Sequence, residues 1–399
     1  MSGGLIVRLA SLMSRRPRAA LLQTVPRLIG ASTLFARLQQ FAVAFYGPVV
    51  AAGFATWHRE SGNYWGHNAI IRTQAFAQAA GLPTLSGAPP LGGHIQSHDF
   101  VEAAFLRRAD WEVWLLPALH GSYEGCPPTL IDTAVRDRRW ARNLQHLRIL
   151  VADGLPWVSR LHLAMGIYAY LASVLWALSL AVGVLLSIQA AYTLPSYFSD
   201  EKTLFPIWPV IDPVKAFYLF LATIVVVMLP KILGIALALV RSTAVPPRKG
   251  WFLLGAVVDW LCSIVIAPIF MLMQTSAVID ILRGRDSGWS VQRRDGEELR
   301  FDELLRFHKW HVLIGATMAI ACALASPYVL AWMAPIIVGL LAAAHISAFT
   351  SKPAPFWLRT ALATPETYPV PAIVAAVDVR YPEWVRRLKR SYVTSDHCK

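Results

Sequence analysis

Charge is what this 399-residue sequence has least of: Asp, Glu, Lys and Arg make up 15% of it, against 56% hydrophobic residues. Soluble domains carry about 25% charged residues. The composition therefore excludes a soluble globular enzyme and a disordered chain alike. It describes an integral membrane protein with a substantial polar portion. Cysteine is also scarce. Cys126, Cys262, Cys322 and Cys398 form no CxxC pair, which argues against a zinc site and a disulfide framework. The histidines, among them His58, His67, His94 and His98, never fall into HExxH or a comparable pair, so spacing offers no histidine metal site. Lysine is absent from the first 160 positions, where arginine supplies all the Lys/Arg charge. The formal net charge is +13, yet the basic residues lack the clusters that nucleic-acid binding favours. A Lys/Arg bias on the cytoplasmic side of a membrane protein accounts for it. The bidentate fork of arginine keeps a phosphorylated ligand open. The N-terminus is no signal peptide, because Arg8, Arg15, Arg16 and Arg18 interrupt its apolar residues.

Residues 1–160 read as a cytoplasmic α/β segment. An amphipathic helix begins almost at Met1, and RAALLQTVP (18–26) follows as a buried strand. Ser32 caps a long helix over about 33–56. YWGHNAIIR (64–72) passes from a glycine turn into an apolar run, and 82–94 is a Pro/Gly loop. Helices are expected at 99–109 and 130–150, with a strand at 111–117 between them. The alternation of strands and helices is that of an α/β sandwich.

From residue 161 the text changes. The stretch 161–192 has no acidic residue and no Lys or Arg, and a bilayer needs only about 20 residues. Spans are expected near 161–192 and 214–240, with two in 311–349 that turn near Ser326–Pro327 or Pro335. The segment 251–282 is apolar but basic on both flanks, and it holds Asp259, Pro268 and Asp280. It reads as interfacial or re-entrant. Residues 351–399 form a cytoplasmic tail. Lys231 lies isolated in its span, and the spans lack the intramembrane charge pairs of ion pathways, which argues against a channel or transporter.

Three features carry chemistry. Asp99 follows a glycine loop at a helix start, as an N-cap carboxylate or as a general base at the mouth of a cleft. In RDRRW (136–140), Arg136, Arg139 and Trp140 stand at i, i+3 and i+4 on one helix face. Two guanidinium groups there can clamp a diphosphate beside a flat indole, unless the run is simply a solvated basic stretch. WSVQRRD (289–295) is a polar loop before the next span.

Taken in order, QTVP, YWGHNAIIR, HDF, RDRRW and then several spans resemble the processive family 2 glycosyltransferases, which include cellulose and hyaluronan synthases. HDF stands where those carry TED, and Arg136 stands for the Gln of QxxRW. The strings GASTLFARLQQF, YGPV, SHDFVEAA and RDRRW are similar to the glucans biosynthesis glucosyltransferase H family. That resemblance implies the C-terminal half of an α/β GT-A-type domain (residues 1–160), followed by an α-helical transmembrane bundle (161–350) in the bacterial inner membrane. It implies glucose transfer from UDP-glucose to a growing β-glucan of the osmoregulated periplasmic class, with inversion. Asp99 would be the base. Arg136, Arg139, Trp140 and His98 would serve the donor diphosphate and the acceptor. Trp289, Gln292, Arg293 and Arg294 would form a gating loop, and the spans would line a path for the chain. A periplasmic glucan-processing partner is implied as well, and nucleic acid is not. The family expects Mg²⁺ or Mn²⁺ at an Asp-x-Asp motif, which is absent from these 399 residues. The resemblance therefore implies a chain truncated on its N-terminal side and inactive when expressed alone. Another polysaccharide synthase of the superfamily, or a non-catalytic subunit beside a full-length synthase, are the alternatives.

Overall fold

The computed structural model describes residues 1–88, 90–193, 213–241, 249–285, 300–367 and 370–376. Helix α1 (Gly3–Arg15) starts under Ser2, whose Oγ accepts from the Leu5 amide at 3.3 Å. It buries Leu5, Leu9 and Met13 on one face. Strand β1 (Ala19–Thr24) is buried at every position. It lies between β3 (Ala69–Ile71), antiparallel, and β4 (Glu112–Leu116), parallel. A strand covered on both faces reads as an unbroken apolar run rather than an alternation, as AALL (19–22) does before the buried polar pair Gln23 and Thr24. A second, two-stranded sheet pairs β2 (Arg27–Ile29) with β5 (Tyr123–Gly125) in parallel. Helices α4 (Thr73–Ala79) and α5 (Asp99–Arg108) cover the larger sheet, where Ala75, Ala103 and Leu106 pack with Leu21 and Val113.

The single helix expected over 33–56 is two: α2 (Leu34–Phe45) and α3 (Gly47–His58), bent by 46°. Pro48, at the start of α3, has no N–H to continue the ladder. The cap is Thr33 rather than Ser32: Thr33 Oγ1 accepts from Ala36 N at 3.1 Å and donates to Pro128 O at 2.5 Å. The helix expected over 130–150 is likewise broken, into α6 (Leu130–Trp140), a 3₁₀ turn (Ala141–Gln145) and α7 (His146–Ile149).

Most of the remaining chain is helical: α8 (Trp157–Tyr192), α9 (Pro213–Val240), α10 (Lys249–Leu282), α11 (Phe301–Ala325), α12 (Pro327–Leu341), α13 (Ala343–Thr350) and α14 (Phe356–Ala361). Four of these, α8 to α11, are long and apolar enough to cross a membrane, and the count reaches six if the bent pairs α2–α3 and α12–α13 are each taken as one span. The segment expected as interfacial or re-entrant is α10, one continuous helix of 34 residues, and it is the most buried of the four. The turn between α11 and α12 is at Ser326, while Pro335 sits inside α12 without ending it. At Gly315 a Cβ would stand 2.9 Å from the Leu340 Cβ, so α11 and α12 approach closely only because that position has no side chain.

Helix α2 joins the two regions. Leu34, Leu38, Phe41 and Phe45 pack with Ala238 of α9 and with Phe252 and Ala256 of α10, and the Phe45 and Phe252 rings are 4.7 Å apart. Lys231 is not isolated. Its Nζ lies 3.1 Å from Asp259 Oδ2 and donates to Ser263 Oγ at 3.1 Å, and the Tyr46 hydroxyl donates to the same carboxylate oxygen. The linear spacing hid this pair because its members are on different helices.

Candidate active site

The small β2–β5 sheet, the turn before β3, α5, α6 and α8 enclose a cleft of about 450 Å³. His98, Asp99, Arg136, Arg139 and Trp140 all line it. The structure thus brings together, from segments some forty residues apart, the side chains that the HDF and RDRRW strings singled out. Trp289, Gln292, Arg293 and Arg294 lie outside the described residues.

Asp99 is the first residue of α5. The cap position is His98, which makes no side-chain cap bond, so the expected N-cap carboxylate is not what holds Asp99. Its carboxyl group lies against the turn at Trp65–Asn68. A Cβ on Gly66 would fall 2.6 Å from Asp99 Oδ2, and Gly66 has φ +85°, a backbone region open chiefly to glycine. Strand β1 supplies the fastening: Gln23 Oε1 accepts from Trp65 N at 3.1 Å, and Thr24 Oγ1 donates to Asn68 O at 2.9 Å. The QT of QTVP therefore positions the turn that embraces Asp99.

Burial raises the Asp99 pKa above the usual carboxylate range, and His98 and His67 pull it part of the way back. Glu102, one turn along α5, is buried and shifted upward mainly by the same desolvation. His98 Nδ1 stands 3.3 Å from Asp99 Oδ1 and 2.9 Å from Glu102 Oε1. Burial and these two carboxylates push the Tyr64 phenol up to about 12. Burial also lifts the Cys126 thiol to about 11, which leaves it protonated and unreactive at neutral pH.

Helix α6 begins at Thr129, whose Oγ1 accepts from Asp132 N at 3.2 Å. Asp137 lies 3.6 Å from Arg136 and accepts from Gln274 Nε2 at 3.0 Å, and Gln274 Oε1 accepts from Ser173 Oγ at 2.5 Å. The carboxyl of Asp137 is raised by burial, with Gln274 and Arg136 opposing. The turn after Trp140 then holds the backbone that leads into Asp99. Asn143 Oδ1 accepts from the Ser97 hydroxyl, Gln145 Oε1 accepts from Gln96 N at 3.2 Å, and His146 Nε2 donates to Ser97 O at 2.7 Å. Burial holds His146 down at about 4, so it is neutral at physiological pH.

A second cavity of about 500 Å³ shares Arg136 and Asp137 with the cleft and continues between α2, α8 and α10. Phe35, Trp176 and Phe270 line it together with Gln39, Ser173 and Gln274. Sequence reading missed His67, Glu102, Asp137 and Tyr170. Glu102 was within reach, four residues after His98 and hence on the same helix face. His67 lies within the YWGHNAIIR string but was given no role there, and Tyr170 reaches the cleft from α8 with no local signal. It also missed that His98, Asp99 and Glu102 gather within 4.8 Å of one another, a group that could hold a metal ion.

No protein-family model matches the chain. Comparison with known proteins finds relatives along its whole length. A Vibrio cholerae protein is 47% identical over 407 residues, covering 100% of this chain and 56% of its own length. One from Shewanella sp. is 49% identical over 387 residues, covering 95% of this chain and 53% of its own. One from Rhodopseudomonas palustris is 47% identical over 383 residues, covering 94% and 53%. All three are named glucans biosynthesis glucosyltransferase H. Along its whole length this chain is homologous to the glucans biosynthesis glucosyltransferase H family. It spans about half the length of the family members it matches. The glucosyltransferase H likeness therefore includes the cleft strings and the apolar helices together.

Proposed function

We propose that the chain forms the acceptor and catalytic-base half of a GT-A-type glucosyltransferase of a bacterial inner membrane, transferring glucose from UDP-glucose to a growing β-glucan in osmoregulated periplasmic glucan synthesis. The observation that carries this reading is the convergence of Asp99, Arg136, Arg139 and Trp140 on one cleft, in a chain whose relatives are named glucosyltransferases. The region bearing the cleft faces the cytoplasm, where UDP-glucose is found, and α8 to α13 lie in the membrane.

Asp99 accepts the proton of the acceptor hydroxyl as that oxygen attacks the anomeric carbon from the face opposite the diphosphate, so configuration inverts. A raised pKa suits a base that must hold the proton it takes. His98 lies beside the carboxyl to steady the charge. Arg136 and Arg139 hold the departing diphosphate through charge-assisted hydrogen bonds, and Trp140 offers a flat face to the acceptor sugar. The product end then enters the second cavity, where aromatic faces and amides stand together as sugar rings and hydroxyls require.

The family expects Mg²⁺ or Mn²⁺ to neutralise the leaving diphosphate. His98, Asp99 and Glu102 do not fit Mg²⁺, which prefers near-octahedral oxygen sets, and the His98 imidazole already bridges the two carboxylates.

Introduced at the chromosomal locus, Asp99→Asn should lower glucose incorporation from UDP-glucose in isolated membranes by about 10²–10⁴-fold, with wild-type amounts of protein in the membrane. Incorporation at the wild-type rate would remove Asp99 from the role of base.

A further inference from the structure

Glu102 is a carboxylate in an apolar row. Helix α5 buries Val101, Ala103, Ala104, Phe105 and Leu106 around it, and Glu102 is itself only 7% exposed. Burying a carboxylate costs free energy unless it is hydrogen-bonded or paired, and an apolar residue would pack there without that cost. The partner of Glu102 is the His98 ring. Glu102 Oε1 lies 2.9 Å from His98 Nδ1, with Asp99 Oδ1 on the same nitrogen at 3.3 Å. Proton transfer to Asp99 does not itself require Glu102.

The ring it engages is otherwise loosely held. His98 precedes the first turn of α5, makes no cap bond and has a side chain 48% exposed. An imidazole carries its proton on the nitrogen that a hydrogen-bond partner selects. Ionised carboxylates only accept, so two of them at Nδ1 place the proton there. Nε2, on the opposite edge of the ring, is then left with a lone pair. His98 lines the cleft beside Asp99, and an acceptor sugar carries hydroxyl groups on neighbouring carbons. One of them donates to Asp99 and its neighbour to Nε2.

We propose that Glu102 is a positioning residue: buried within α5, it fixes the His98 ring with the proton on Nδ1, so that Nε2 receives an acceptor-sugar hydroxyl beside the one that Asp99 deprotonates. This role rests on the reading of Asp99 as the base. A second pair in the cleft has the same build, His67 standing 3.6 Å from Glu124. There the carboxylate is exposed and the separation longer, so Glu102 is the firmer fastening of the two.

The test uses variants introduced at the chromosomal locus, with glucose incorporation in isolated membranes measured against UDP-glucose concentration. Glu102→Leu should lower kcat about 10–10²-fold and leave the KM for UDP-glucose unchanged, because Arg136 and Arg139 hold the donor. Glu102→Gln, which keeps the volume and an acceptor oxygen, should lose less. In a His98→Ala background, Glu102→Leu should cost almost nothing further, since the ring it positions is gone. A purely structural glutamate would cost the same with and without His98. Glu102→Leu at the wild-type rate, or its full loss repeated in the His98→Ala background, overturns the proposal. If Glu102→Leu does not accumulate in the membrane, the same cycle run with Glu102→Gln decides by the same criterion. Asp99→Asn assayed alongside keeps two failures apart. An inactive Asp99→Asn beside an unimpaired Glu102→Leu overturns the positioning role alone, and an active Asp99→Asn overturns the base and this role with it.

Discussion

Asp99 and Asp259 are both mostly buried aspartates, and they are held in opposite ways. Asp259, among the membrane helices, has a permanent cation: Lys231 at 3.1 Å, with the Tyr46 hydroxyl on the same oxygen. Among the described residues, Asp99 in the cleft has histidines for its positive neighbours, and histidine carries charge on a conditional basis. A carboxylate tied to a lysine on another helix fastens the two helices together. A carboxylate kept between imidazoles and a glycine turn is free to exchange its proton. The two regions differ accordingly. The membrane part uses polar groups to join helices, and the cleft holds its carboxylate between imidazoles and a glycine turn.

The sharpest way to break the contrast is to make Asp259 resemble Asp99 by removing its cation. Lys231→Met leaves a buried charge unpaired and should cost about 3–5 kcal/mol. The loss should appear as reduced thermal stability of the purified protein in detergent, and Lys231→Met with Asp259→Asn should recover most of it. A single variant as stable as wild type would make the pair dispensable.

Gly66→Ala attacks the other side. A methyl group at a left-handed position, 2.6 Å from the Asp99 carboxylate, should cost about 1–3 kcal/mol. It should also depress glucose incorporation in membranes when placed at the chromosomal locus. Unchanged incorporation would mean that the turn tolerates a side chain and that Asp99 need not lie against it.

The smallest effect is in pH. Asp99 and Glu102 both hold protons more tightly in the folded state than in the unfolded chain. Their charged forms therefore lower stability at neutral pH, and that penalty disappears as pH falls through their raised folded values to below the ordinary carboxylate range. Asp99→Asn should be relatively more stable than wild type near neutrality, with the advantage vanishing on acidification. Denaturation at several pH values measures it, and an advantage that grows on acidification would reverse the sign assigned here.

Much of this molecule was legible in its sequence, and the misses share a cause. Strand β1, helix α5 and the common face of Arg136, Arg139 and Trp140 followed from periodicity and punctuation, which are local. The long helices followed from apolar length. The bend between α2 and α3 escaped because Pro48 is tolerated near a helix start, so composition alone does not tell a new helix from a continuing one. The pairing of Lys231 with Asp259 escaped because 28 positions separate them and the partner lies on another helix. His67 and Tyr170 joined the cleft in the same tertiary way. Glu102 was a simple oversight of helix spacing.

The hydrogen-bonded series Asp137–Gln274–Ser173 has a mechanical meaning. Through Asp137, beside the cleft-lining arginines, helix α6 is anchored to α10 and α8, two of the longest apolar helices among the described residues. The geometry of its arginines is therefore referenced to helices that meet lipid, as well as to the sheet beneath them. A change in bilayer thickness, which such helices accommodate by tilting, would reach the arginines of α6 through these two bonds.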